Sequence, residues 1–158
     1  MALSVALAMV LSFLETLIPP LAFVPGVKLG LANIVTVYLL YTLGPGAAGA
    51  VSLIRVVLSS LLFGTVQSLI FSLAGAILSF VVMLLVKRLL PFGTVGTSVL
   101  GGVAHNAGQI VAAVFVMGTA EIAYYFIPLV ISGTLAGVGV GIVAGIRINR
   151  INAGISKK

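Results

Sequence analysis

The chain has 158 residues, of which 61% are hydrophobic and 6% are charged. Soluble domains carry about 25% charged residues, so this composition excludes a soluble domain and identifies an integral membrane protein. Cysteine and aspartate are absent, there is one histidine, and the net charge is +6, which excludes disulfide frameworks, thiolate sites and multi-histidine zinc sites.

The acidic residues also limit the chemistry. Glu15 and Glu121 are the only acids, whereas two-metal and diphosphate–Mg²⁺ sites need several carboxylates close together. No Walker A loop occurs in the sequence, so the chain cannot hydrolyse ATP alone. We therefore predict no enzyme activity, no metal site and no cofactor.

Six apolar segments are separated by proline, glycine or basic residues. In chain order they cover residues 2–18, 29–43, 47–63, 68–86, 98–117 and 123–146. Helices of these lengths fit a hydrocarbon core about 30 Å thick, whereas a β-barrel needs a period-2 alternation that the segments lack. We predict an all-α bundle of six transmembrane helices in one domain, residues 1–146. A Gly/Thr-rich loop is expected at 91–97, and a fraying basic tail at 147–158.

The basic residues predict the orientation, since cytoplasmic loops carry an excess of Lys and Arg. With six spans, one side of the membrane holds Lys87, Arg88, Arg147, Arg150, Lys157 and Lys158, and the other holds Lys28. We therefore expect both termini in the cytoplasm and the protein in the inner (cytoplasmic) membrane. Because the basic residues form no stripe with interleaved aromatics, we expect no nucleic-acid partner.

Glycines recur in the last segment at every fourth residue. Gly133, Gly137, Gly141 and Gly145 form a stripe on one side of the predicted helix. Such a stripe lets a neighbouring backbone approach closely, so we expect it to be a packing face.

Polar residues inside the apolar segments are candidates for a binding site, because they are costly in hydrocarbon. Lys28 stands at the start of the second segment, and Asn33 lies about one helical turn inside it. Lys28 either reaches a lipid headgroup or stands at the mouth of a pocket. Asn33 either bonds a neighbouring helix or lines that pocket.

The other candidates lie near mid-membrane. Arg55 is in the third segment, and its alternative role is a structural pair with a helix carbonyl or with Glu15. His105, Asn106 and Gln109 are spaced to share a broad face of the fifth segment. We expect these residues and Asn33 to border one cavity open toward the outer face, with Glu15, Gln67 and Glu121 nearer the rim. A closed hydrogen-bond network is the alternative. The basic charge favours a ligand with a carboxylate or phosphate.

Three stretches are similar to a known family. They are PGVKLGLANIVTVY, LGPGAAGAVSLIRVVLSSLLFGT and GGVAHNAGQIVAA, which contain all the site candidates. The chain resembles the family described as heptaprenyl diphosphate synthase component I, also called the Gx transporter family. That family resembles the substrate-binding S-components of energy-coupling-factor (ECF) transporters, which are six-helix membrane proteins.

The resemblance implies a function of two alternative kinds. The first is an S-component-like subunit that binds a small vitamin-like, isoprenoid or other amphiphilic molecule for uptake. It would be energised by separate coupling and ATPase subunits, and Ala2 and Ala6 match the small-residue pattern that contacts the coupling subunit. The second is a non-transport membrane component of an isoprenoid or quinone pathway, or of an extracytosolic flavin or quinone electron-transfer system.

Overall fold

A computed structural model of the protein describes residues 1–17 and 31–155, with side chains through residue 149. This part of the chain is helical throughout, apart from short connections. The six α-helices are α1 (Ala2–Thr16), α2 (Asn33–Thr42), α3 (Pro45–Phe63), α4 (Val66–Leu89), α5 (Thr94–Met117) and α6 (Phe126–Ile155). A 3₁₀ helix, Ala120–Tyr125, precedes α6. The prediction of an all-α protein is confirmed.

Four stretches are long and apolar enough to cross a membrane: α3, α4, α5 and the run from Ala120 to Asn149. Helix α1 has 15 residues and α2 has 10, so both are shorter than the roughly 20 residues that a spanning helix needs. The described residues thus form a multi-pass membrane bundle with four full-length helices.

Two predicted boundaries are wrong. Helix α5 begins at Thr94, so the second half of the expected loop 91–97 is helical. Gly93 adopts an extended conformation and serves as its N-cap, which places the break before the threonine. Helix α6 continues through Arg147 to Ile155, because no proline or glycine pair follows Ile146 to end it. The tail is therefore helical as far as the structure describes it.

Helices α4, α5 and α6 pack so closely that side chains are excluded from parts of their contacts. We call these three helices the glycine-packed slab. A Cβ on Gly137 would lie 2.6 Å from the Cα of Val99, and one on Gly141 would lie 2.5 Å from the Cα of Val95. On the other side of α5, a Cβ on Gly108 would lie 2.9 Å from the Cα of Gly75. The predicted packing role of the α6 glycine stripe is confirmed.

Helices α1, α2 and α3 pack mainly through side chains. The rings of Phe13 and Phe63 lie 5.1 Å apart, and both are near the C-terminal ends of their helices, so α1 and α3 run parallel. Between α3 and α4, Gly49 faces the ring of Phe80. The same seam leaves an apolar groove of about 130 Å³.

The helix directions bring Met1 and the C-terminal part of α6 to the same end of the bundle. This end also holds Lys87, Arg88 and Arg147, and we call it the basic end. Helix α2 is tied to it, because Lys87 Nζ donates to the carbonyl oxygen of Leu40 at 2.5 Å. The ammonium group lies 4.8 Å from the Tyr41 ring centroid. The Tyr41 hydroxyl lies 2.7 Å from Thr97 Oγ1, which joins α2 to α5.

Candidate functional site

Two apolar clusters fill the bundle near its two ends. The cluster near the basic end includes Leu39, Leu40, Val51, Met83 and Val140. The cluster near the opposite end consists of Phe71, Ile110, Ala113, Ile122 and Leu129. Helices α4 and α6 contribute to both clusters, and between the two levels α4 buries small residues such as Ser72, Gly75 and Ser79.

A layer of buried polar side chains lies between the clusters. We call it the polar layer, and its members are exposed by 5% or less: Asn33, Arg55, His105, Asn106 and Gln109. These are the site candidates that the sequence predicts, apart from Lys28. Lys28 lies outside the described residues.

Contacts between helices show that Arg55 and the α5 residues share a depth. Gly49 of α3 faces Phe80 of the antiparallel α4. Arg55 lies six residues after Gly49 in α3, and Ala74 lies six residues before Phe80 in α4, a rise of about 9 Å in each helix. Arg55 is therefore level with the α4 turn that contains Gly75. A Cβ on Gly75 would lie 2.7 Å from the His105 carbonyl oxygen and 2.8 Å from Gln109 Cγ.

Asn33 reaches the same depth through α2. Tyr41 and Thr97 are hydrogen-bonded near the basic end. Asn33 lies eight residues before Tyr41, and His105 lies eight residues after Thr97, a rise of about 12 Å in each helix. Asn33 is therefore level with His105 to within a helical turn.

The three α5 residues do not all face the same neighbour. His105 Nδ1 and Gln109 Cγ lie against Gly75 of α4. Asn106 points to α6, where its Nδ2 donates to the Leu129 carbonyl oxygen at 2.6 Å. The fixed amide leaves Asn106 Oδ1 buried without a hydrogen-bond partner in the described part of the chain. Asn106 thus joins α5 to α6 while keeping one acceptor available.

Arg55 is 4% exposed and lies on the buried face of α3. Its Nε and Nη2 are both buried, and neither has a hydrogen-bond partner among the described residues. A guanidinium group offers five donors in a rigid fork, so this side chain can bind further acceptors. Asn33 Nδ2 is a third buried donor of the same kind.

The burial of Glu15, near the C-terminal end of α1, was not predicted from the sequence. This residue is 5% exposed on the face of α1 that also buries Ala8 and Ser12. Helix α1 packs against α3, the helix that carries Arg55. The buried spacing at positions 8, 12 and 15 is the helical signal that could have identified it.

The remaining candidates lie away from the polar layer. Gln67 and Glu121 are exposed at the end opposite the basic end. Ala2 and Ala6 are exposed on α1, and no helix among the described residues covers them. Within the described residues, no group of three His, Cys, Asp or Glu side chains could hold a metal ion.

Comparison with known protein families identifies the family of this chain. The model of a family described as heptaprenyl diphosphate synthase component I matches residues 4–146. No curated protein and no solved structure is detectably similar to the chain. The matched range contains the whole polar layer and Glu15.

Proposed function

The chain belongs to the heptaprenyl diphosphate synthase component I family, and we propose that it is a membrane-embedded subunit that binds a small molecule for uptake. The ligand occupies the polar layer, and separate coupling and ATPase subunits supply the energy. In this proposal the protein acts like an S-component of an ECF transporter. The chain itself catalyses no reaction.

The observation that supports this function is the set of unpartnered donors at mid-bundle. Arg55 Nε, Arg55 Nη2 and Asn33 Nδ2 are buried without hydrogen-bond partners in the described residues. Buried donors are normally paired, and leaving one unpaired costs about 1–3 kcal/mol. A ligand with acceptor atoms would remove this cost, because its oxygens or ring nitrogens would complete the hydrogen bonds.

The start of α2 adds a second argument. The described helix begins at Asn33 without a side-chain cap, at the depth of the polar layer. The N–H groups of Ile34 and Val35 bond to the carbonyl oxygens of Leu31 and Ala32, so this helix start contributes the positive end of the helix dipole rather than free donors. Helix α2 therefore adds polarity to the site at the same place as Asn33.

The proposed topology has six spans, with both termini in the cytoplasm. Helices α1 and α2 serve as the two short spans, and the basic end faces the cytoplasm, in accord with the excess of basic residues there. The exposed Ala2 and Ala6 would then lie on the lipid-facing side of α1, where a helix of the coupling subunit can pack. Lys28 would stand on the outer side, at the mouth of the site.

Cysteine labelling tests this topology. The chain has no native cysteine, so single cysteines at Val66 and Lys157 give no background. In intact cells, a membrane-impermeant maleimide should label Val66→Cys and leave Lys157→Cys unlabelled until the cells are lysed. Equal labelling of both variants in intact cells would refute the orientation.

Substitution of Arg55 tests the site. The load of co-purifying small molecule per folded Arg55→Met monomer should be about 90% or more below that of the wild type, because charged hydrogen bonds contribute about 1.5–3 kcal/mol. Ile54→Met, on the exposed side of the same helix turn, is the matched control. Mass spectrometry of purified protein measures the load. A wild-type load in Arg55→Met, or no stoichiometric small molecule in the wild type, would contradict the proposed function.

A second function is favoured by the family description, which names a synthase component. In this alternative the chain is a non-catalytic membrane partner of a prenyl synthase or of a quinone or flavin pathway. Affinity purification from membranes distinguishes the two: a bound prenyl synthase favours the alternative, whereas bound ATPase and coupling subunits favour uptake.

A further inference from the structure

The charges inside the bundle balance. Among the described residues, Glu15 and Arg55 are the buried side chains with a formal charge at pH 7. The other charged side chains that the structure describes lie at the two ends of the bundle: Lys87, Arg88, Glu121 and Arg147. The polar layer therefore receives one positive and one negative charge.

The two charged residues belong to packed elements rather than to mobile surface chains. Glu15 lies on the buried face of α1, Arg55 lies on the buried face of α3, and these helices contact each other. In a low-dielectric interior, an ion is stable only with a partner of opposite charge. Glu15 is the buried acid on the described helices that can serve as this partner for Arg55 in the absence of ligand.

This balance limits what can bind beside Arg55. An anionic headgroup would approach the guanidinium in the field of the Glu15 carboxylate, and no other buried cation among the described residues would balance its charge. A neutral or zwitterionic molecule adds no net charge and can still bond Arg55 Nε, Asn33 Nδ2 and Asn106 Oδ1. The unpartnered atoms include donors and an acceptor, so the complementary ligand carries both as well.

We propose that Glu15 is the specificity-determining residue of the polar layer and that the layer selects a net-neutral ligand over phosphorylated or other anionic molecules. This inference rests on the proposed function and names its substrate class. It differs from the expectation drawn from the +6 net charge of the chain, because the basic residues that the structure describes lie mostly at the basic end.

Inorganic phosphate is the probe for this proposal. Wild-type protein in detergent should not bind it measurably by isothermal titration calorimetry, whereas Glu15→Gln should bind at least about tenfold more tightly, because like-charge repulsion is removed. Glu121→Gln is the matched control. It removes the other acid of the chain, which is exposed, and should behave as the wild type.

Three outcomes would overturn the proposal. They are phosphate binding by the wild type that Arg55→Met abolishes, no gain in Glu15→Gln, and an equal gain in Glu121→Gln. If Glu15→Gln does not fold, mass spectrometry of the molecule released from wild-type protein decides the matter, since a net anion at pH 7 refutes the inference. These results are separate from the Arg55→Met load, which tests the proposed function itself.

Discussion

The glycine-packed slab and the α1–α3 half of the bundle are built on different principles. In the slab, Gly102 and Gly133 bring the α5 and α6 backbones together, and a Cβ on Gly102 would lie 2.7 Å from the Gly133 carbonyl oxygen. In the other half, the side chains of Phe13 and Phe63 join α1 to α3, and the Phe80 ring of α4 fills the seam between α3 and the slab. The buried charges Glu15 and Arg55 also belong to that half.

This difference predicts that the slab is rigid and that the α1–α3 half can adjust its packing. Backbone contacts leave no rotamers to change, so the slab is a fixed surface that presents His105 and Gln109. Side-chain contacts can repack at modest cost. Ligand-linked movement is thus expected in α1–α3, and each half should respond differently to matched substitutions.

The largest effect is expected in the slab. Gly137→Leu should abolish folded protein in detergent, because a Cβ there already lies 2.6 Å from the Cα of Val99. Gly139→Leu is the control on the same helix, since a Cβ on Gly139 meets nothing within 4 Å. Size-exclusion chromatography and thermal unfolding measure both variants. Wild-type stability of Gly137→Leu would mean that the slab is not held by backbone contact.

The same substitution in two seams sharpens the comparison. Gly75→Ala places a methyl group 2.7 Å from the His105 carbonyl oxygen, whereas Gly49→Ala places one 3.2 Å from the tip of the Phe80 ring. The backbone atom cannot move and the ring can, so we expect about 1–3 kcal/mol of destabilisation for Gly75→Ala and almost none for Gly49→Ala. Chemical denaturation in mixed micelles measures the free energy of unfolding of both variants. Equal destabilisation would mean that contacts inside the slab are no more rigid than the contact between α3 and α4.

A smaller effect is expected where α2 is tied to the slab. Lys87→Met removes the donor to the Leu40 carbonyl oxygen and the cation above Tyr41, and should cost about 1.5–3 kcal/mol as a charged hydrogen bond does. Arg88→Met removes the same charge from an exposed neighbour and should be nearly neutral. Thermal unfolding of the two variants is the measurement, and identical midpoints would show that the bond does not hold α2.

Composition and local pattern were sufficient for much of this architecture. The helical class, the glycine face of α6 and the buried polar residues follow from apolar length and from the cost of polar groups in hydrocarbon. Arg55 and Asn33 could be predicted to be buried because a charged or amide side chain within an apolar segment is costly in contact with lipid. The family was also identified from three stretches, and it is confirmed over residues 4–146.

Features that depend on tertiary contacts could not be predicted in the same way. Nothing in the sequence indicates that Asn106 faces α6 while His105 faces α4. Helical spacing shows which residues share one side of a helix, but it does not show which other helix packs against that side. Glu15 stands next to the end of its segment, where exposure is the usual outcome, and its burial depends on α3. The start of α5 at Thr94 depends on the extended backbone of Gly93, which a Gly/Thr-rich composition does not specify.

The shortness of α2 has a consequence for how the protein is made. Its ten residues cover about 15 Å, roughly half of the hydrocarbon thickness, so the described helix cannot be held in the bilayer by its own apolar length. Its ties run to Lys87 on α4 and Thr97 on α5, which leave the ribosome later. We therefore expect helix α2 to reach its final position after α4 and α5 have inserted, as a late step of biogenesis.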